Sequence, residues 1–259
     1  MSADDGALIA RLPDWSFAFV LVLARAASAC MLIPGVGEAE LPAMIRAGFA
    51  LALAMLLVPV LAPAMPAPPA DVWRGFAMVA GEVATGLFLG WLARLLMAAL
   101  PLAGQIIADL TGQASVLQPD SVLGPQGAAL GRLFGLAAPV LLLASGLYAL
   151  PLEALAGSYR LVPPGSLLPA ADATQTSVAA VEQCFALALQ LAAPFLLAGI
   201  VWQVALAALA RLAPQIPVFF LAAPAQLLGG LALLAALGAS LLGVWQDRVA
   251  SGLAALPGL

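Results

Sequence analysis

Apolar residues run through this chain in long blocks, and the short polar intervals between them set its plan. A membrane-spanning helix needs about 20 mostly apolar residues. Trp15 to Pro34 meets that length with a single charge, Arg25, and Ala43 to Pro63 meets it again before the proline cluster PAMPAPPADVW. A third block runs from Val72 to Leu100, and a fourth from Phe134 to Leu155, uncharged until Glu153. A fifth covers Val178 to Ala210, and a sixth covers Ile216 to Trp245. Blocks of this length, apolar on every side, argue for helices and against strands. Only RLAPQIP separates the last two, which predicts a helical hairpin. The pattern implies an all-α, polytopic membrane-type protein with kinked helices and a C-terminal helical hairpin.

Two connections are too long for simple turns. Pro101 to Gln126 is half apolar and rich in Gly, Pro, Ser and Gln. It is too polar to span and too apolar for a free loop. A re-entrant or cavity-lining segment fits it, because irregular backbone at membrane depth survives only against protein or water. Ser158 to Ser177 reads as a surface connection that leads into a helix start. The opening, MSADDGALIARLPDW, lacks a basic region ahead of a cleavable apolar core and does not read as a signal peptide.

Composition agrees with the blocks. Of 259 residues, 64% are hydrophobic and 8% charged, against about a quarter charged in an ordinary soluble domain. Such a surface needs lipid or partner proteins around it. The net charge of −4 is spread thinly and no basic patch exists, which argues against nucleic acid. With no histidine, and only Cys30 and Cys184 in separate apolar blocks, no zinc or haem constellation can be assembled. The two cysteines read as small buried hydrophobes. No nucleophile–base pair or acid pair stands in a recognisable arrangement, so we expect no catalytic residue, no cofactor and no metal.

Four charges in or beside the apolar blocks are expected to be buried: Arg25, Glu82, Arg94 and Arg132. Charge at mid-span is expensive and marks either a transport pathway or a docking contact. Proton and ion pathways favour acids and histidines, whereas arginines predominate here, so contacts that fix helix assembly are the favoured reading. Glu82 is expected to pair with Arg25 or Arg94. GLFLG sets Gly86 and Gly90 four apart, and GAALGRLFG does the same with Gly127, Gly131 and Gly135. That spacing lines one helix face with glycine and lets another backbone approach, within the chain or across a subunit seam. Prolines 34, 59, 101, 139, 194, 214, 217 and 224 lie in or beside apolar runs. Broken helices occur in transporters, so a secondary transporter or permease stays as the alternative. The orientation rule based on arginines ends in a tie: Arg11, Arg74, Arg160 and Arg248 lie towards one side, Arg46, Arg94, Arg132 and Arg211 towards the other.

The run LARLAPQIPVFFLAAP, Leu209 to Pro224, resembles the most recognisable stretch of the flagellar biosynthetic protein FliR family and its virulence-secretion counterparts. The likeness continues at Arg25, Pro34, Gly37 and Arg46, then at Glu82, Gly86, Gly90 and Gly104, and in GRLFGLAAPVLLLASGLYAL; together it covers Ser16 to Leu241. The resemblance implies a core subunit of the flagellar type III secretion export gate, in the bacterial inner membrane at the flagellar basal body. It implies FliP-like and FliQ-like subunits as partners, FlhB- and FlhA-like export proteins beside them, and unfolded protein as the cargo in transit. Residues 1–177 then correspond to a FliP-like part, with a pore-plug segment near 104–125, and residues 178–259 to a FliQ-like hairpin. In that family the stretch matching Gly104 to Pro119 contributes to the plug, often through bulky aromatics. This chain reads TGQASVLQPD there, so Gly112, Ala114, Val116 and Leu117 are the expected plug residues. Arg25, Glu82, Arg94, Arg132, Arg211, Pro214 and Gln215 are the expected assembly contacts, the last three at the hairpin tip.

Overall fold

A computed structural model describes residues 3–113, 129–212, 215 and 218–259 of the chain. Seven α-helices follow in order among them: α1 (Ala3–Cys30), α2 (Ala43–Leu61), α3 (Val72–Leu110), α4 (Ala129–Ala144), α5 (Ala149–Leu161), α6 (Ala170–Leu212) and α7 (Val218–Ala254), with one 3-10 turn, Ala62–Ala64, after α2. Five carry a stretch long and apolar enough to cross a membrane, and a bent pair, α4 with α5, makes a sixth. The all-α, polytopic expectation therefore holds.

Three boundaries differ from the sequence reading. The fourth block is not one rod: α4 and α5 meet at 73°. Gly146 takes φ +77, a left-handed conformation that ends α4, and Pro151 stands in the first turn of α5, where its missing N–H is no loss. Ser145 Oγ donates to the freed carbonyl of Leu142 at 3.1 Å. The third block, expected to stop near Leu100, continues as helix through Pro101 to Leu110, so the first part of the supposed irregular segment is regular. Close packing supports that extension. A Cβ on Gly104 would lie 3.0 Å from Gly131 Cα, so α3 and α4 touch backbone to backbone there. Finally, α6 begins at Ala170, which shortens the connection after α5 and leaves much of the expected surface stretch helical.

The chain divides into two compact units that are not consecutive segments. The first comprises residues 1–95, 142–180 and 252–259; the second comprises 96–141 and 181–251. In the first unit, one core cluster gathers Val22, Ala54, Val58 and Tyr159, with Phe19, Leu57 and Met65 against it. A second gathers Ala29, Ile33, Leu89 and Leu155. GLFLG serves this packing. Gly86 faces the Arg25 carbonyl and Ser28, and a Cβ on Gly90 would come within 2.7 Å of the Ala29 carbonyl oxygen. The motif thus joins α3 to α1 of the same chain. In the second unit α6 and α7 meet near their junction through Leu206, Ala222 and Trp202.

Burial is uneven. In the most apolar stretch of α3, 56% of residues are buried, against 28% in α6 and 11% in α7. The last two helices therefore present most of their apolar surface outward.

Candidate functional site

Arg25 and Glu82 supply the most distinctive chemistry of the first unit. Arg25 lies on α1 and Glu82 on α3, and neither side chain is exposed at all. The guanidinium meets the carboxylate fork to fork: Nε donates to Oε2 at 2.7 Å, and Nη2 to Oε1 at 3.1 Å. That bidentate geometry is the strongest form of the pair and the one lysine cannot copy. Arg25 Nη1 donates to Ser158 Oγ at 3.1 Å, and Nη2 also donates to the Val162 carbonyl at 3.0 Å. The Tyr159 ring lies 4.0 Å from the guanidinium carbon, a cation–π contact. On the acid side, the Gly165 amide donates to Glu82 Oε1 at 2.7 Å. Gly165 needs to be glycine, because it takes φ +76 and a Cβ would strike Met78.

The result is a charged knot tying α1, α3, α5 and the chain after α5. Two bare charges in an apolar interior would cost several kcal/mol each, and only full satisfaction by partners makes their burial tolerable. Local sequence explains the placement. Gly86 sits one turn beyond Glu82 and lets the α1 backbone come close enough for the fork to close.

Arg94 does not join this knot. Its Nη2 donates to Glu38 Oε2 at 3.0 Å, and Nη1 donates to the Gly37 carbonyl at 3.2 Å. Glu38 in turn accepts the Gly35 amide at 3.2 Å. Arg94 therefore braces the α1–α2 loop, whose Gly35 takes φ +86 and whose Gly37 is packed against the Met31 carbonyl. This pair is partly open to the surroundings, with the side chains 40% and 22% exposed. Arg132 is exposed on α4, contrary to the expectation of a buried charge, because its position falls on the outward face beside Leu133. Arg211 is exposed in the last turn of α6, where a cation suits the negative end of the helix dipole. Gln215 is exposed in the turn that follows. Pro214, Ala114, Val116 and Leu117 lie outside the described residues.

Gly112, the described member of the expected plug set, closes α3. It takes φ +74, its amide donates to the Asp109 carbonyl at 3.4 Å, and the Gln113 amide reaches back to Ala108 at 2.9 Å. This is the Schellman arrangement that ends helices on glycine. In the same unit, Gln226 Nε2 of α7 donates to the Leu110 carbonyl at 2.9 Å. Glu38, Ser158, Gly165 and Gln226 were not singled out as site residues from sequence. For Gln226 a signal existed: it is the lone amide in the apolar run LAAPAQLLGG. Among the described residues, no three Cys, Asp or Glu side chains gather as a metal ion requires.

Residues 16–252 match the family described as bacterial export proteins, family 1. The flagellar biosynthetic protein FliR of Caulobacter vibrioides is 32% identical to the chain, over 88% of the chain and 91% of that protein. FliR of Escherichia coli is 27% identical over 86% and 85% respectively. Yop proteins translocation protein T of Yersinia pestis is 29% identical over 80% of each.

Proposed function

We propose, because the chain belongs to the bacterial export proteins of family 1, that it is a core subunit of the flagellar export gate. Membership makes it a type III export component of the FliR and translocation protein T kind, and its long apolar helices make it a membrane protein. The finer reading is that it joins FliP-like and FliQ-like subunits around a channel for unfolded flagellar proteins. That assembly stands in the inner membrane at the basal body, with FlhA- and FlhB-like proteins beside it. Residues 1–177 take the FliP-like part and 178–259 the FliQ-like hairpin. The chain itself catalyses nothing in this scheme, and energy enters through other components.

The observation that carries the reading is the family match along nearly the whole chain. The outward apolar surface of α6 and α7 supports it, since subunit neighbours would cover that surface. So does the arginine tie, because helices shielded by protein escape the lipid rule for orientation. On this reading Val116 and Leu117 help close the channel, as apolar constrictions exclude water and ions.

Copurification tests the proposal. A tagged chain drawn from its native membrane in mild detergent is expected to bring FliP- and FliQ-like proteins with it, and to move no solute alone in liposomes. A solitary chain that transports a solute unaided would overturn it in favour of the permease alternative.

A further inference from the structure

In the first unit α1 and α3 run parallel: Arg25 meets Glu82, Gly86 faces Arg25 to Ala29, and Gly90 faces Ala29 to Ile33. The register of 57 residues set by the fork brings Trp15 level with Val72 and Trp73. Both indoles are open, Trp73 to 80%, and the Phe76 ring stands 6.4 Å from that of Trp73, itself largely exposed. The start of α3 is held firmly. Asp71 Oδ1 accepts the Trp73 amide at 3.1 Å, and Pro69 packs on Gly75. The chain after α5 reaches the same end, with Gly165 against Met78 and Pro66, Ser166 against Gly81, and Leu167 largely exposed. Arg74 and Arg160 are exposed there too, and neither has an ion pair among the described residues. From Arg74 to Arg94 the same helix rises about 30 Å, the thickness of a bilayer's hydrocarbon core. Between them α3 carries one charge, Glu82, wholly buried in its fork. At the far level Arg94 is paired with Glu38 in a partly open loop.

We propose that this end of the first unit is a lipid-binding surface: Trp15, Trp73, Phe76 and Leu167 lie at the boundary between headgroups and acyl chains, and Arg74 and Arg160 hold the phosphates of anionic phospholipids. Indole suits that boundary, since its ring enters the acyl region while its N–H stays with the headgroups. Two unanswered cations complement the phosphate charge, and the acid nearest them in sequence, Asp71, is engaged by the Trp73 amide. A sister subunit would cover apolar side chains at any height. A spacing of one hydrocarbon thickness from the charged loop at the other end is what a bilayer requires. The Arg25–Glu82 fork then falls near the midplane, where a charge without partners is most expensive. The surface does not depend on the export-gate reading and serves any membrane assembly that contains this chain.

Photo-crosslinking tests this on the full chain, purified with whatever proteins accompany it and reconstituted into vesicles of phosphatidylglycerol and phosphatidylethanolamine in equal parts. Phe76 is exchanged for p-benzoylphenylalanine, which keeps an aromatic ring at that position. Illumination is expected to give mainly phospholipid adducts, enriched in phosphatidylglycerol, as read by mass spectrometry. Arg74→Gln with Arg160→Gln is expected to lower the ratio of phosphatidylglycerol to phosphatidylethanolamine adducts about fivefold, the factor one arginine contributes at an anionic surface. Arg46→Gln, at the start of α2 beyond the loop that Arg94 braces, is expected to keep the parental ratio. Mainly protein adducts in the parent would overturn the proposal, because a neighbouring subunit then covers the surface. A parental ratio in the double variant would overturn it as well, by showing that the arginines select no headgroup. So would an equal fall in Arg46→Gln, which would reveal a response to net charge alone. Copurification of FliP- and FliQ-like proteins can fail without altering any of these outcomes, so the two readings stand or fall separately.

Discussion

Tyr159 holds its ring 4.0 Å from the Arg25 guanidinium carbon, yet its buried hydroxyl finds no partner among the described residues. The ring and the hydroxyl therefore pull in opposite directions. Tyr159→Phe keeps the cation–π contact and removes a buried unsatisfied group that costs about 1–3 kcal/mol. Glu82→Gln keeps the shape but strands a buried guanidinium, at about 3–5 kcal/mol. Thermal melting of the purified complex is expected to show Tyr159→Phe at or above the parent and Glu82→Gln well below it. The reverse order would mean that the Tyr159 hydroxyl is stabilising and that the Arg25–Glu82 fork contributes little. Exchanging the charges, Arg25→Glu with Glu82→Arg, is expected to restore little. The new carboxylate would face the Val162 carbonyl, and the new guanidinium the Gly165 amide, so like groups would meet.

Much at this scale was legible from sequence, because a charge in an apolar block needs a mate and few are on offer. That Glu82 takes Arg25 and not Arg94 follows from one more step. Arg94 lies on the same helix as Glu82, about 18 Å away along its axis. What stayed hidden was the role of groups that carry no conspicuous chemistry. The Gly165 amide and the Val162 carbonyl are backbone, and every residue but proline offers both. Gln226 was visible as an oddity, but its mate is a carbonyl that sequence does not single out.

At the scale of elements, apolar length foretold the spans, while glycine decided how they stop and meet. Gly146 and Gly90 both lie inside apolar runs, and nothing in composition tells a left-handed helix end from a close helix contact. The structure separates them: Gly146 has φ +77 and open space, whereas Gly90 has a neighbouring backbone against it. Two different outcomes are expected. Gly146→Ala strains the bend by roughly 1–2 kcal/mol and clashes with nothing. Gly90→Leu forces α3 away from α1 and with it strains the Arg25–Glu82 fork. Protein recovered from membranes should fall modestly for the first and severely for the second. Equal recovery would show that the α1–α3 contact tolerates separation. Prolines misled in the other direction. Pro101 stands inside α3, not at its end, since a single lost hydrogen bond is affordable where Gly104 and Gly131 let helices pack closely.

For the molecule as a whole, composition already implied an envelope of lipid or protein, and the burial pattern says where that envelope is thickest. Leu197, Val204 and Leu228 are each more than half exposed on α6 and α7. If sister subunits cover them, photo-reactive residues at these positions in the assembled complex are expected to yield mainly protein adducts. Predominantly lipid adducts would instead describe a freestanding bundle. The sequence could show that these faces are apolar but not what touches them, because hydrocarbon and leucine look alike to an outward side chain.

The Arg25–Glu82 knot also has a history in time. Its two ends are synthesised 57 residues apart, an interval on the order of several seconds at ordinary translation rates. Throughout it the first helix waits beside or within the bilayer with an unanswered guanidinium, and the loop bearing Gly165 arrives later still. A newborn chain of this kind is thus a poor candidate for spontaneous partition helix by helix. It requires an insertion site that retains early segments until the third is made, and any lag at that stage exposes a half-built, charge-bearing intermediate to degradation.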